Sequence, residues 1–388
     1  MKYKFLISVL VFTLLLPSPA LLAEQQEGGE PSDLTESAKS ALLMEFDTGE
    51  IMYNEESSKR LPPASMTKIM TMLLVMEALD EGTITLDEKV RVSEHAASMG
   101  GTQIYLEPFE EMTVKDLLKA VAVASANDAS VALAERIAAT EEVFVEMMNE
   151  KAKSLGLKDT NFVNTTGLPA ENHYSSAYDM AVMARELLKH EEITEYTKIY
   201  EDYLRKGTDD EFWLVNTNRL VKFYQGVDGL KTGYTSKAKY SLTATAKRDD
   251  MRMIAVVMGA DTAKDRNKDI TNMLDYAFGH YDVKRLFSKD DKVHEWEPLK
   301  SNSKIYASPK SNVSLLVKKG DSLEDYQTKI ETKSNTWPVE KGDEVGKIKV
   351  VKDDEVVAEY PLIVMNDVKD ANIWTLWKRS LKSIHRGK

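Results

Sequence analysis

The chain has 388 residues, with 51 Lys+Arg against 63 Asp+Glu, 43% hydrophobic residues and no cysteine. That length allows two domains with terminal appendages, and a charged fraction of 29% with a pI near 5.2 fits a soluble globular body. Without cysteine there is no thiol nucleophile, disulfide framework or Cys-ligated metal site, and the six histidines form no H-E-x-x-H pair for a helix-borne zinc.

The chain opens with Lys2 and Lys4, an apolar run Phe5–Leu16, small residues around Ala20 and Ala23, and the polar stretch Glu24–Asp33. Basic, apolar and small-residue regions in that order predict a secretory signal peptide over 1–23, cut after Ala23 or Ala20 and too short in its apolar part to span a bilayer. Removing Lys2 and Lys4 with it takes the formal charge from −12 to −14. Since the last twenty residues carry a net +5, residues 24–368 hold about −19. An acidic body argues against a nucleic-acid partner.

Ala41–Phe46 and Glu50–Tyr53 read as two short strands joined through Asp47-Thr48-Gly49. After Pro62-Pro63 a helix is expected from about Ser65 to Leu79, stopping at Gly82. Its Met66, Ile69, Met70, Met72, Leu73, Leu74 and Met76 fall on nearly every face, which makes it a buried central helix. Helix starts are signalled by Thr113 with Asp116 and by Ser176 with Asp179, and Glu141–Leu155 ends at Gly156. Tyr240–Ala246 and Met251–Met258 read as strands around Arg248-Asp249-Asp250, and a last helix runs from Thr262 to Phe278. From Tyr281 the chain turns to short β-rich segments, including Val313–Val317 and Lys347–Val351 paired with Val356–Val364. The expected architecture is an α/β domain over 38–280, a small all-β domain over 285–365 and a basic amphipathic helix over 369–388. In that last segment Ile373, Trp374, Leu376, Trp377, Leu381 and Ile384 fall on one face, with Lys378, Arg379, Lys382 and Arg386 mostly elsewhere. Such a helix suits an anionic membrane surface, or alternatively docks on the protein itself.

Three short motifs carry the chemistry: Ser65-Met66-Thr67-Lys68 at the start of the central helix, Ser125-Ala126-Asn127 between two helical segments, and Lys231-Thr232-Gly233 before the Tyr240 strand. A serine at a helix N-terminus lies near unpaired N–H groups that favour developing negative charge. Lys68, three residues on, shares its face. A lysine accepts a proton only when neutral, and burial together with the cation of Lys231 would lower its proton affinity. Ser125 then suits a proton relay, Asn127 amide contacts with a peptide, and Lys231 with Thr232 a terminal carboxylate. Ser-x-x-Lys also occurs at Ser236 and Ser301, so the weight rests on all three motifs standing in order.

Together these motifs resemble those of the low-molecular-mass penicillin-binding proteins, the serine-type D-alanyl-D-alanine carboxypeptidases. The resemblance extends to Pro62–Met72, Ile104–Pro108, Ser125–Glu135, Phe162–Pro169, His173–Met183, Val227–Thr235 and both termini. It implies an antiparallel sheet flanked by helices, followed by a small all-β domain. It further implies Ser65 as acylated nucleophile, Lys68 as proton acceptor, Ser125 as proton shuttle, and Asn127, Lys231, Thr232 and Gly233 as substrate-binding residues. The oxyanion hole would use the backbone N–H groups of Ser65 and Tyr234. Implied partners are peptidoglycan stem peptides ending in D-Ala-D-Ala, β-lactam antibiotics and, through the C-terminal helix, the outer face of the cell membrane. No metal or organic cofactor is implied. Phe109 and Lys239 stand where that family often has glycine. A β-lactamase shares the motifs but needs a positioned base for deacylation, and 161–167 offers no carboxylate; a penicillin-sensing module would not need Lys68.

Overall fold

The computed structural model describes residues 33–298, 301–333, 338–374, 376 and 377; the expected signal peptide and residues 378–388 of the expected terminal helix lie outside them. Five antiparallel strands form the central sheet in the order Ile51–Glu55, Ser40–Glu45, Met251–Ala260, Lys239–Arg248 and Val227–Thr235. The two-residue side-chain period of a strand divides this sheet between two apolar clusters. Leu42, Met44, Ile254, Val256 and Met258 face the helices Lys68–Asp80 and Ala177–Leu187, whereas Ala41, Leu43, Ala255 and Val257 face Ile270, Met273 and Leu274 of the helix Ala263–His280.

The helix starts follow the sequence signals. Thr113, Ser176 and Thr262 each cap a helix by accepting from the backbone N–H three residues on, at Asp116, Asp179 and Asp265. The central helix is buried from Lys68 to Met76, as its apolar residues on every face require. Its entry differs from the expected one. Ser65 lies in a 3-10 turn, Ala64–Thr67, and the α-helix begins only at Lys68. Pro63, with no N–H to donate, sits before this turn, and Ala64 takes a left-handed φ of 49°.

From Tyr281 the chain is all β among the described residues up to the last strand, which ends at Val364. A five-stranded sheet orders His294–Trp296, Ile305–Pro309, Glu355–Val364, Glu344–Lys352 and Tyr326–Thr332, and Tyr281–Phe287 pairs with Val313–Lys318. Ile305, Val345, Ile348, Leu362 and Val368 belong to a separate apolar cluster. Asp47, at the turn of the first hairpin, ties this region to the sheet. Its carboxylate accepts from Ser314 Oγ at 2.8 Å and Asn312 Nδ2 at 3.3 Å, with the Arg285 guanidinium at 3.5 Å. Ile373, Trp374, Leu376 and Trp377 are helical, and Ile373, Trp374 and Trp377 are exposed. No helix among the described residues is long and apolar enough to cross a membrane.

Candidate active site

The 3-10 turn has a direct consequence for Ser65 and Lys68. With three residues per turn, side chains at i and i+3 eclipse, and Lys68 Nζ stands 3.4 Å from Ser65 Oγ. The amine is wholly buried and donates to Asn127 Oδ1 at 2.6 Å and to the Thr166 carbonyl at 2.8 Å. Burial, followed by the nearby charge of Lys231, holds its pKa well below that of a free lysine.

Two glycines let the backbone close around Ser65. A Cβ on Gly233 would lie 2.5 Å from the Pro63 carbonyl oxygen; one on Gly167, whose φ is 82°, would lie 1.8 Å from that of Ala64. Only glycine lets the edge strand and the 164–168 loop approach the serine turn this closely. The Val227–Thr235 strand pairs within the central sheet on one side alone; Thr197 and Asn218 donate to its Asp228 and Gly229 carbonyls, which leaves the end toward Thr235 for a ligand strand.

Ser65, Ser125, Thr232 and Gly233 line one cavity of about 560 Å³. Ser125 is held at φ 66°, and its buried hydroxyl makes no hydrogen bond among the described residues. A strained residue with an unspent buried hydroxyl is a candidate functional position. Asn127, expected to contact the peptide, is anchored within the protein. Its carbonyl oxygen receives Lys68 and its NH₂ donates to the Gly100 carbonyl at 2.6 Å, which fixes the amide in place and leaves its second N–H for a ligand. Lys231 is buried, and its nearest acceptor is the Thr232 carbonyl at 3.5 Å. Burial, then the charge of Arg266, lowers its pKa to about 7. Thr232 Oγ1 donates to Thr217 Oγ1 at 2.8 Å.

The structure adds residues that the motifs do not name. Arg266 reaches the cavity wall from the helix Ala263–His280, and burial lowers its pKa to about 10. Its guanidinium donates to Asn267 Oδ1, and no carboxylate lines the cavity, whereas Arg219 and Lys264 do. The buried Asp128, next to Asn127, accepts from the backbone N–H groups of Ile104 at 3.0 Å and Leu106 at 3.1 Å and so fixes the loop that carries Thr102 to the cavity. Thr71 Oγ1 and Ser130 Oγ both donate to the Thr165 carbonyl, which positions Thr166 over Lys68. His173 accepts from Val163 N–H through Nδ1, so Nε2 carries the proton toward Thr67 Oγ1 at 2.8 Å. Burial lowers its pKa to about 4. Phe109 and Lys239 have φ values of 70° and 58°, the left-handed region that glycine enters without a Cβ penalty.

A family model described as D-alanyl-D-alanine carboxypeptidase matches residues 25–262. The chain belongs to this family. A second model, the C-terminal domain of penicillin-binding protein 5, matches residues 281–370. The chain is 54% identical to D-alanyl-D-alanine carboxypeptidase DacF of Bacillus subtilis over 97% of its own length and 98% of that protein's. Among solved structures, penicillin-binding protein 5 from Haemophilus influenzae is similar at 31% identity and a TM-score of 0.70, covering 86% of this chain and 98% of that one. Penicillin-binding protein D2 from Listeria monocytogenes in its ampicillin-bound form is similar at 33% identity and a TM-score of 0.56, covering 62% and 97%.

Proposed function

We propose that this member of the carboxypeptidase family removes the terminal D-alanine from peptidoglycan stem peptides ending in D-Ala-D-Ala, with Ser65 as nucleophile. The observation that carries the reading is the buried Lys68 amine beside Ser65 Oγ, with two other acceptors already in place. A neutral amine has two N–H groups and one lone pair. Asn127 Oδ1 and the Thr166 carbonyl take the two N–H groups, which leaves the lone pair for the Ser65 hydroxyl proton.

Ser65 Oγ then attacks the carbonyl carbon of the penultimate D-alanine while its proton passes to Lys68. The backbone N–H groups of Ser65 and Tyr234 hold the oxyanion. Ser125, whose hydroxyl is otherwise unspent, carries a proton to the leaving nitrogen as the C–N bond breaks. Water attacks the Ser65 ester, restores the serine and releases the shortened peptide. Thr232 and Arg266, which line a cavity free of acidic groups, bind the terminal carboxylate with the buried Lys231 next to Thr232. A β-lactam carries an acyl carbon and a carboxylate that can occupy the same positions, which supports acylation of Ser65 by such antibiotics.

The site faces the wall, outside the cytoplasm. Residues 1–23 act as the export signal, 38–280 as the catalytic domain and 285–365 as a β-rich stalk, and residues 369–388 hold the protein at the membrane surface. The exposed Ile373, Trp374 and Trp377 support that last assignment. Deleting 369–388 then moves the protein to the soluble fraction; persistence at the membrane would contradict it. The reaction is tested by D-alanine release from a short acylated peptide ending in D-Ala-D-Ala. The chain should release D-alanine and Ser65→Ala should not; equal release by both would overturn the assignment.

A further inference from the structure

The cavity lined by Ser65 is larger than its leaving group needs. Its volume of about 560 Å³ lies in the range of pockets that enclose a drug-sized ligand, whereas the D-alanine expelled by the reaction carries only a methyl side chain. The charged residues that line it, Arg219, Lys264 and Arg266, are all cations.

One carboxylate does not use them all. Thr232 and the buried Arg266, with Lys231 next to Thr232, are assigned above to the terminal carboxylate. Arg219 and Lys264 flank that group from two elements. Thr217, whose Oγ1 lies 2.8 Å from Thr232 Oγ1, stands two residues before Arg219, and Lys264 stands two residues before Arg266 in the helix Ala263–His280. Both are exposed, and neither makes an ion pair or a side-chain hydrogen bond among the described residues, so both are available to a ligand. Cations gathered around one cavity repel each other, and a single carboxylate leaves positive charge unmatched. A leaving residue with a second carboxylate on its side chain would match it; a neutral side chain would not, and a cationic one would be repelled.

We propose that Arg219 and Lys264 form a second anion subsite on the leaving side, and that the enzyme removes terminal D-residues with a carboxylate side chain, D-glutamate or D-aspartate, as well as D-alanine. The proposal rests on the reaction assigned above to Ser65. The same C–N bond breaks, and over the two steps water gives its OH to the acyl carbon and its H to the leaving amine. The products are the peptide ending in D-alanine and the free D-dicarboxylic acid.

The test compares acylated peptides ending in D-Ala-D-Ala, D-Ala-D-Glu, D-Ala-D-Gln and D-Ala-D-Lys. D-Glutamine matches D-glutamate in size without its charge, so the ratio of their kcat/KM values isolates the second carboxylate. The intact chain should favour the D-Glu peptide over the D-Gln peptide by roughly ten-fold, the effect of two exposed ion pairs, and the D-Lys peptide should fall below both. Arg219→Gln and Lys264→Gln should each lower the ratio to about three-fold, and the double variant should bring it to about one. Release from the D-Gln peptide by the double variant reports an intact fold. A ratio near one in the intact chain, or a preference that survives in the double variant, would overturn the proposal. Ser65-dependent release from the D-Ala-D-Ala peptide keeps the underlying reaction in place even then. Release from none of the four would remove that reaction, and the proposal with it.

Discussion

Replacing Lys68 with methionine separates chemistry from stability at one buried position. The substitution keeps an unbranched side chain of similar length and takes away every proton-accepting function. Two buried acceptors, Asn127 Oδ1 and the Thr166 carbonyl, lose their donor, at a cost of about 1–3 kcal/mol each. Against that, a wholly buried amine no longer has to be desolvated, which returns an energy of similar size. The melting temperature should therefore change by only a few degrees. Losing a positioned general base costs about 10²–10⁴ in rate, or roughly 3–5 kcal/mol of barrier. The assay is the second-order rate constant for labelling by a fluorescent penicillin, read beside a thermal melt of the same sample. Labelling within tenfold of the unaltered chain, with the melt unchanged, would refute the role given to Lys68. A collapse of the melt together with the rate would mean that the amine is structural.

Further outcomes follow from the cations and glycines around the serine. Lys231, with a pKa lowered to about 7, is the weaker of the two cations proposed to bind the carboxylate, so KM for the D-Ala-D-Ala peptide should rise as pH climbs through 7. Lys231→Arg should flatten that rise, and an unchanged alkaline limb would count against it. The same depressed pKa leaves the unfolded lysine holding its proton up to about 10.5, so this group makes stability increase between pH 7 and 10.5. Lys231→Met should reduce that slope in denaturant melts taken across the window. Arg266→Leu should lower kcat/KM roughly tenfold or more for a peptide with a free terminal carboxylate and hardly at all for its C-terminal amide; equal losses for both would exclude a carboxylate contact. Gly167→Ala should abolish penicillin labelling, because the new Cβ would fall 1.8 Å from the Ala64 carbonyl oxygen at φ 82°. Retained labelling would show that the loop and the serine turn can part without loss.

The parts of this site that follow from local rules are legible in the chain. The spacing of Ser65 and Lys68 puts them on one face in either helical form, and the caps at Thr113, Ser176 and Thr262 mark helix starts without reference to the rest of the fold. What depends on long-range packing is not legible. Arg266 lies on an amphipathic helix in a run of charged and polar residues, and only its approach to the end of the Val227–Thr235 strand makes it a wall of the cavity. Asp128 reads as an ordinary first-turn acid, yet it holds the 104–106 loop. Asn127 reads as a peptide-contacting amide, and its bonds to Lys68 and the Gly100 carbonyl depend on packing that the sequence does not reveal. The 3-10 entry to the central helix lies where Ala64 meets Gly167 of the 164–168 loop, a contact that no local pattern signals.

The account stands on Ser65 as the atom that carries the acyl group. The most direct measurement is to trap the protein with a penicillin, digest it and locate the added mass by peptide mapping. The adduct should lie on Ser65 and be absent from Ser65→Ala. An adduct on Ser125 or any other residue, or one that persists in Ser65→Ala, would contradict the account.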